Sequence, residues 1–246
     1  MEKYFGLQGE NTFVFFSSQH WIALMVLAVI YTTLWFSKDY LRQEKVDRTA
    51  RWIIAAILLL QEVSLSVWRI SIGTWDPGTS LPLHMCGIAI VLAVFGLINR
   101  NYTLYELIYF WGMGGAIQAL LTPDIGEYGF PHYRAFQFFV SHGTLIFAGL
   151  YLTWVSGMRP TQRSIWKVWI ATNIYMIPIA LFNWLTDGNY LFICHKPENG
   201  SVMDFFGPWP WYILVLEVVA IISFYIYYAP FIVIDIKAWF KQRRAR

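Results

Sequence analysis

Residues 81–98 read LPLHMCGIAIVLAVFGLI and contain no Asp, Glu, Lys or Arg. At about 1.5 Å per residue, a helix of this length nearly crosses the roughly 30 Å hydrocarbon core of a bilayer. Comparable apolar segments recur along the chain between short polar breaks. The sequence therefore predicts an all-α, polytopic membrane helix bundle with seven transmembrane helices at about 18–36, 52–72, 82–98, 104–122, 133–155, 165–186 and 210–234.

The composition agrees with this class, since 57% of the 246 residues are hydrophobic and 13% are charged. Spans of about 20 residues use up the whole length, so we expect a single integral membrane domain over residues 1–246. The first nine residues lack the compact apolar core of a cleavable signal peptide. The net charge of +3 does not indicate a nucleic-acid partner, because Lys and Arg lie in short clusters beside the spans.

The distribution of Lys and Arg predicts the orientation of the bundle. Fourteen of the 18 basic residues lie in four segments that fall on one side of a seven-span topology: 38–51, 100, 159–167 and 237–246. The alternate segments carry only Lys3, Arg134 and Lys196. By the positive-inside rule, the N-terminus is expected outside and the C-terminus in the cytoplasm, which requires an odd number of spans.

Polar side chains within the spans concentrate toward the predicted outer ends. Scattered polar residues are typical of hydrogen bonds between helices, whereas a one-sided accumulation indicates a cavity open to the outer leaflet or the external water. The residues of this predicted cavity are Arg69, His84, Cys86, Gln137, His142, Asn183 and Asp187.

Cys86 and His142 are the candidates for chemistry, because a thiol and an imidazole form a nucleophile and its base. The chain contains only two cysteines and five histidines. Pro82 suits the first turn of a helix, which predicts Cys86 one turn inside its span and His142 deeper in its own. His84 is two residues before Cys86 and points about 200° away around the helix, so it is a poor base for that thiol.

Other roles for these residues stay open at this point. Cys86 is also compatible with a small buried hydrophobe, the usual role of a buried cysteine, or with a disulfide to Cys194. A zinc site of Cys86, His142, Cys194 and His195 is a further alternative, although the chain has no metal-ligand spacing of the CxxC or HExxH kind. We predict neither a metal nor a cofactor.

The remaining polar residues of the cavity have two readings each. Arg69 shares a helix face with Glu62, which is compatible with an intramembrane ion pair and with a clamp for a lipid phosphate. Asn183 or Gln137 is expected to orient the imidazole or to donate a hydrogen bond to an oxyanion.

Four motifs resemble a known family: Leu81–Cys86, Ser141–Gly143, Asn183–Leu191 and Gly207–Tyr212. Over about residues 61–216 the chain is similar to the YwaF-like integral membrane proteins of bacteria and to their eukaryotic relatives, transmembrane acyltransferases that remodel ether phospholipids. The resemblance implies a functional pair at Cys86 and His142, membrane phospholipids and lysolipids as partners, and a place in the bacterial cytoplasmic membrane.

The resulting hypothesis is a phospholipid acyltransferase in which His142 deprotonates Cys86 and an acyl thioester forms. An alternative is a transporter or lipid-binding protein that uses the same outer cavity, for which inverted repeats or broken helices are typical. A seven-helix receptor is a third class. Its retinal-binding form needs a lysine in the last span, and 210–234 contains none.

Overall fold

The computed structural model describes residues 2–7, 9–197 and 202–244, and all regular secondary structure in these residues is helical. Five of the described helices are long and apolar enough to cross a membrane. The all-α membrane class is thereby confirmed. These five helices are α2 (Ser18–Leu41), α3 (Glu44–Ser71), α8 (Tyr133–Trp154), α9 (Gln162–Thr186) and α10 (Trp211–Arg244, apolar over Trp211–Ile236).

The third and fourth predicted spans have a different form from the other five. The third is α5 (Met85–Asn99), whose 15 residues extend about 22 Å. The fourth is divided into α6 (Tyr102–Leu107), a π-helical turn (Ile108–Gly112) and α7 (Met113–Leu121). The number of seven spans and the orientation of the termini therefore remain predictions. Two short α-helices, α1 (Glu2–Phe5) and α4 (Pro77–Ser80), and two 3-10 helices, Tyr190–Phe192 and Val202–Phe206, complete the described set.

The chain forms two compact units, residues 1–158 with α1–α8 and residues 159–246 with α9 and α10. Helix α8 is the central helix of the first unit. In its most apolar stretch 67% of the residues are buried, whereas the corresponding figure for α2 is 11%. It packs against α2, α3, α5 and α7. The exposed faces of α2 and α3 carry large apolar residues, as expected for surfaces that contact lipid.

Helices α3 and α8 run antiparallel, and polar contacts define their register. At one end Tyr151 donates from its hydroxyl to Asp47 Oδ1 at 3.1 Å. At the other end Ser64 Oγ lies 2.6 Å from the Tyr133 hydroxyl. The first end carries the basic loops of this unit and the second is the end predicted to face outward, called here the outer end.

The N-terminal segment, residues 2–7 and 9–16, lies across the outer end of the first unit. Trp68 Nε1 donates to the carbonyl of Phe5 at 2.9 Å, and the amide of Phe13 donates to Gly126 O at 2.9 Å. Gly9 approaches the Glu127 carbonyl so closely that a Cβ there would lie 1.9 Å from its oxygen. The absence of a side chain at Gly9 therefore permits this segment to pack on the loop that precedes α8.

The second unit is an antiparallel pair of long helices with polar contacts of its own. Asn173 Nδ2 on α9 donates to Glu217 Oε2 on α10 at 3.2 Å. Arg159 and Asp235 form an ion pair at the opposite end. The loop after α9 is held by Asn183, which is described with the candidate site residues below.

Candidate active site around Cys86 and His142

Cys86 is the second residue of α5 and lies in its first turn, one turn nearer the helix start than the sequence predicted. The helix begins at Met85 and not at Pro82, because the preceding chain folds back over this turn. A Cβ at Gly87 would lie 2.7 Å from Pro82 Cα, so only glycine permits that packing. His84 is the N-cap residue, but its side chain makes no capping hydrogen bond.

The sulfur of Cys86 points at α7, where it contacts a glycine. A Cβ built on Gly115 would lie 2.6 Å from Cys86 Sγ, which is closer than real Cβ atoms approach any neighbour. The thiol therefore occupies the space that a side chain at position 115 would need.

The packing of α7 on α8 shows which part of α8 faces this thiol. A Cβ on Gly112 would lie 3.2 Å from Leu145 Cδ1, and Met113 contacts Gly149. Near the outer end, His20 bridges the two helices, with Nε2 2.8 Å from Leu120 O and a ring contact with Phe139. Helices α7 and α8 are therefore antiparallel, with α7 turned toward the α8 face that carries Leu145 and Gly149.

His142 belongs to this same face, because it precedes Leu145 by three residues and Gly149 by seven. Gly112 contacts Leu145, and one helical turn further outward α7 carries Gly115 while α8 carries His142. Gly115 and His142 are therefore expected at a similar depth.

The contacts of α3 with α5, at Arg51 and Leu97, and with α8, at Gln61 and Gln137, give a second estimate of depth. By this estimate the Cys86 thiol lies up to about two helical turns nearer the outer end than His142. Cys86 therefore contacts α7, His142 lies on the face of α8 that packs on α7, and no hydrogen bond joins the two side chains directly.

The imidazole of His142 is held in one tautomer. Its Nδ1 lies 2.9 Å from the carbonyl oxygen of Phe138. Because a carbonyl only accepts hydrogen bonds, Nδ1 carries the proton and Nε2 is left as an acceptor. Nε2 has no hydrogen-bond partner among the described residues. The ring also packs on that of Phe138, with centroids 4.2 Å apart. The arrangement is suited to a general base that acts through Nε2.

Arg134 is a site residue that the sequence analysis missed, because its position at a span end made it look like a loop charge. Its guanidinium lies 5.3 Å from the Phe138 ring centre and interacts electrostatically with His142. Arg134, Phe138 and His142 form a column on one face of α8, defined by their spacing of four residues. That spacing was the signal in the sequence.

Gln137 connects this column to α3. Its Nε2 donates to Gln61 Oε1 at 2.6 Å, and its Oε1 accepts a hydrogen bond from Arg134 Nη1. Gln61 in turn donates to the carbonyl of Leu58 at 3.0 Å. The oxygen and the nitrogen of the Gln137 side-chain amide both form hydrogen bonds. Its contact in the structure is therefore with the Arg134 guanidinium and not with the His142 imidazole.

Arg69 lies at the outer end of α3, where its Nη1 donates to Ser80 O in α4 at 3.2 Å. It interacts electrostatically with Glu62, with His84 and with Arg134. The structure therefore brings Arg69, His84 and Gln137 into the first unit together with Cys86 and His142.

Asn183 and Asp187 belong to the second unit and are occupied locally. The Asn183 side chain donates to Tyr190 O at 3.0 Å and accepts from Tyr190 N–H at 2.9 Å. Asp187 is the C-cap of α9 in the left-handed conformation, with φ of 52°. The role of Asn183 at the imidazole or oxyanion and the place of Asp187 in the predicted cavity remain predictions, while these contacts show how both residues fix the loop after α9.

Two alternative readings of Cys86 are not realised in the structure. Cys86 and Cys194 are both free thiols, so the disulfide alternative is wrong for this structure. Among the described residues, no group of three or more His, Cys, Asp or Glu side chains is arranged to hold a metal ion. His195 instead contacts Asn189, with Nδ1 3.0 Å from Asn189 Nδ2.

Comparison with known proteins was informative at the level of family. A family model described as the TMEM164 family matches residues 15–228. The chain belongs to the TMEM164 family. No curated protein and no solved structure matches it. Membership in the TMEM164 family identifies a transmembrane protein, in agreement with the five apolar helices.

The TMEM164 family region contains α2 to α9 and much of α10, and so includes Cys86, His142 and the Arg134 column. The N-terminal residues 2–14 precede it. The helices that position the candidate site are therefore part of the family domain.

Proposed function

We propose that this TMEM164-family protein is a membrane acyltransferase that moves a fatty acyl chain between phospholipid and lysolipid through a thioester at Cys86. The observation that supports the proposal is the position of Cys86 Sγ against Gly115 of α7, the helix that packs on the face of α8 that carries His142. Among the described residues, His142 Nε2 has no hydrogen-bond partner. The resemblance of the chain to Cys/His acyltransferases favours the same two residues.

In the first half-reaction, His142 Nε2 takes the thiol proton and the Cys86 thiolate attacks the ester carbonyl carbon of a phospholipid. The tetrahedral intermediate collapses when the ester C–O bond breaks. The lysolipid oxygen takes the proton from the imidazolium and leaves, and the acyl chain stays on sulfur. Because Nδ1 is bonded to Phe138 O, the imidazole keeps its orientation while Nε2 exchanges the proton.

In the second half-reaction, His142 Nε2 accepts the proton of a lysolipid hydroxyl, whose oxygen attacks the thioester carbonyl. The C–S bond breaks, and the proton returns from the imidazolium to Cys86. Every proton that leaves one group is received by another, so no cofactor is required for the exchange.

The first turn of α5 supplies an electrostatic contribution to both half-reactions. The first N–H groups of a helix have no acceptor within it, and the helix end carries partial positive charge. His84 does not cap them with its side chain. They therefore lie beside Cys86, where they stabilise an anionic sulfur or the oxyanion of the intermediate.

The test is acyl exchange between phospholipid and lysolipid by the purified protein in vesicles. We expect Cys86→Ala to abolish transfer and His142→Ala to slow it about 10²- to 10⁴-fold, the usual contribution of a general base. Mass spectrometry should detect an acyl thioester on Cys86 in the wild-type protein. Cys194→Ser is the matched control and should keep full activity, because Cys194 is exposed in the second unit. Full activity in either site variant contradicts the mechanism.

A lipid transporter is the second candidate, and one observation favours it. The π-helical turn Ile108–Gly112 lies near the middle of the fourth predicted span, and such turns within membrane helices often mark functional sites such as a binding site. A transporter moves labelled phospholipid between leaflets without forming lysolipid. Product analysis of the same vesicles therefore separates the two functions.

A further inference from the structure

The Arg134 column places a positive charge at a fixed distance from the candidate base. The guanidinium carbon lies 5.3 Å from the Phe138 ring centre, and that centre lies 4.2 Å from the centre of the His142 ring. The guanidinium is therefore within about 10 Å of the imidazole, one aromatic ring away along a single helix face.

The orientation of this guanidinium is set by an amide relay between two helices. Gln61 on α3 accepts from Gln137, and the Gln137 oxygen accepts from Arg134 Nη1. Gln61 and Gln137 are both buried. Because each amide is bonded at both ends, the relay restrains the arginine to one direction.

Most of the hydrogen-bonding capacity of Arg134 remains unused. A guanidinium has five N–H donors. Among the described residues, the Arg134 side chain donates a hydrogen bond only through Nη1, to Gln137. Glu62, Asp124 and Tyr133 interact with it electrostatically, but none of them accepts a hydrogen bond from its Nε or Nη2. A fork of donors held in place at the outer end of the bundle is suited to a planar or tetrahedral oxyanion.

Arg69 adds a second guanidinium to the same region, since it interacts electrostatically with both Arg134 and Glu62. Two like charges that interact in this way repel each other, and an anion that contacts both relieves the repulsion. Arginine pairs of this kind recognise phosphate groups in proteins.

We propose that Arg134, with Arg69 beside it, binds the phosphodiester of a glycerophospholipid and thereby selects phospholipids over neutral glycerolipids. The inference rests on the proposed acyltransferase function and names the substrate class of that site. A glycerol backbone separates a phosphate from the nearest ester by only a few bonds. With the phosphate on Arg134, that ester lies beside the column and within reach of the groups on α7 and α8.

The test is lipid binding in the Cys86→Ala background, which removes any turnover. The probes are lysophosphatidylcholine and a monoacylglycerol with the same acyl chain, each titrated into the detergent-solubilised protein. We expect Arg134→Gln to weaken lysophosphatidylcholine binding about 10- to 100-fold, the range for a lost charge-assisted hydrogen bond, and to leave monoacylglycerol binding unchanged. Arg134→Lys should fall between, because lysine keeps the charge but not the fork.

Arg48→Gln is the matched control, since it removes an exposed arginine of the same unit and should alter neither affinity. Equal weakening of both lipids by Arg134→Gln overturns the proposal, because it indicates a purely structural role, and so does an unchanged affinity for lysophosphatidylcholine. Inorganic phosphate is the third probe. Tight binding of phosphate alone at this arginine overturns the assignment to a lipid head group.

The two proposals can fail separately. In one case, Arg134→Gln abolishes the selectivity for phospholipids while Cys86→Ala keeps full acyl exchange. That result supports the phosphate site and contradicts the thioester mechanism. The converse result, a thioester at Cys86 with binding that does not depend on Arg134, removes only the phosphate assignment.

Discussion

At the scale of single residues, Gly115 determines where the Cys86 sulfur lies. Its missing side chain leaves room for the thiol between α5 and α7. Small residues of membrane helices usually permit close approach of two backbones. Gly115 of α7 instead makes room for the sulfur of Cys86 from α5. A packing feature is thereby linked to the proposed chemistry.

Gly115→Ala is expected to displace the thiol and to lower acyl transfer at least about tenfold with little loss of folded protein. The new Cβ would lie 2.6 Å from Cys86 Sγ, and rotation of the cysteine side chain relieves that clash. Thioester yield and melting temperature are the measurements.

The matched control for Gly115→Ala is Gly149→Ala, where the nearest atom would be Met113 Cγ at 3.4 Å, an ordinary contact with a flexible side chain. It should keep both activity and stability. Equal activity in the two variants would show that the position of the sulfur against Gly115 has no role.

At the scale of elements, α8 carries most of the site because it is the helix that the first unit surrounds. Its α7-facing side bears His142, and its outer turns bear Arg134 and Gln137. The π-helical turn before α7 adds a residue to the helix and rotates α7 relative to the course of a regular helix. The direction of Gly115 therefore depends on that turn as well as on its own position in the sequence.

The N-terminal segment and the loop before α8 form a second element, whose contact depends on the protonation of His132. His132 is the N-cap of α8: its Nδ1 accepts from Arg134 N–H at 3.1 Å, and its Nε2 lies 3.1 Å from Gly6 O. These two partners require a neutral ring with the proton on Nε2. Burial lowers the pKa of His132 in the folded protein, the hydrogen bond to Gly6 O opposes this, and the charge of Arg134 adds to it.

We expect the N-terminal segment to detach as the solution is acidified. A lowered folded-state pKa means that the docked form binds fewer protons than the undocked form, so docking is strongest above the ordinary histidine pKa of about 6.5 and weakens as pH falls below it. The protection of the amides of residues 2–7 and 9–14 against hydrogen exchange, measured relative to the intrinsic exchange rate at each pH, should therefore fall between about pH 6.5 and pH 5.

His132→Asn is the variant that checks the cause, because asparagine caps helices but does not titrate in this range. Its exchange should show no step in this pH range. A wild-type step that persists in His132→Asn assigns the transition to another group.

At the scale of the whole molecule, the buried carboxylate of Asp47 connects the helices of the first unit at its inner end. Asp47 accepts from Arg51 Nε at 3.0 Å and from the Tyr151 hydroxyl, and it pairs with Arg100. Arg51 also donates to Leu97 O at 2.6 Å. These contacts join α3, α5 and α8 opposite the end where the candidate site lies.

Asp47→Asn should lower the free energy of unfolding by about 3 to 5 kcal/mol, because it leaves the buried Arg51 guanidinium without its counter-charge. Thermal denaturation in detergent is the measurement. Asp39→Asn is the control: its ion pair with Arg42 is exposed at the surface, so little change is expected. A melting temperature equal to that of the control shows that the Asp47 cluster does not hold the unit together.

The orientation of the whole chain is tested by thiol accessibility. In a Cys86→Ser background, Cys194 should react in intact cells with a membrane-impermeant maleimide, because its loop is predicted outside. A cysteine introduced as Arg48→Cys into a chain without the native thiols should react only after the membrane is opened. The reverse pattern shows that the N-terminus faces the cytoplasm.

From the sequence alone, the membrane class and the presence of the five longest helices could be predicted, because long apolar runs leave a bilayer protein no other way to satisfy its backbone. The ends of these helices were less predictable, since α2 continues to Leu41 and α3 already begins at Glu44. The sequence also selected Cys86 and His142, since reactive groups are rare in such runs. The start of α5 was less predictable, because it depends on the contact of Pro82 with Gly87.

Only the tertiary structure decided what surrounds the two candidates. The place of Cys86 Sγ against Gly115, the tautomer of His142 and the inclusion of Arg134 all depend on how α3, α5, α7 and α8 pack. Hydropathy gives each helix a length and a depth but leaves its rotation and its neighbours open. Those are set by side-chain contacts between segments distant in the chain, and so the geometry of the site emerges only when the helices are assembled.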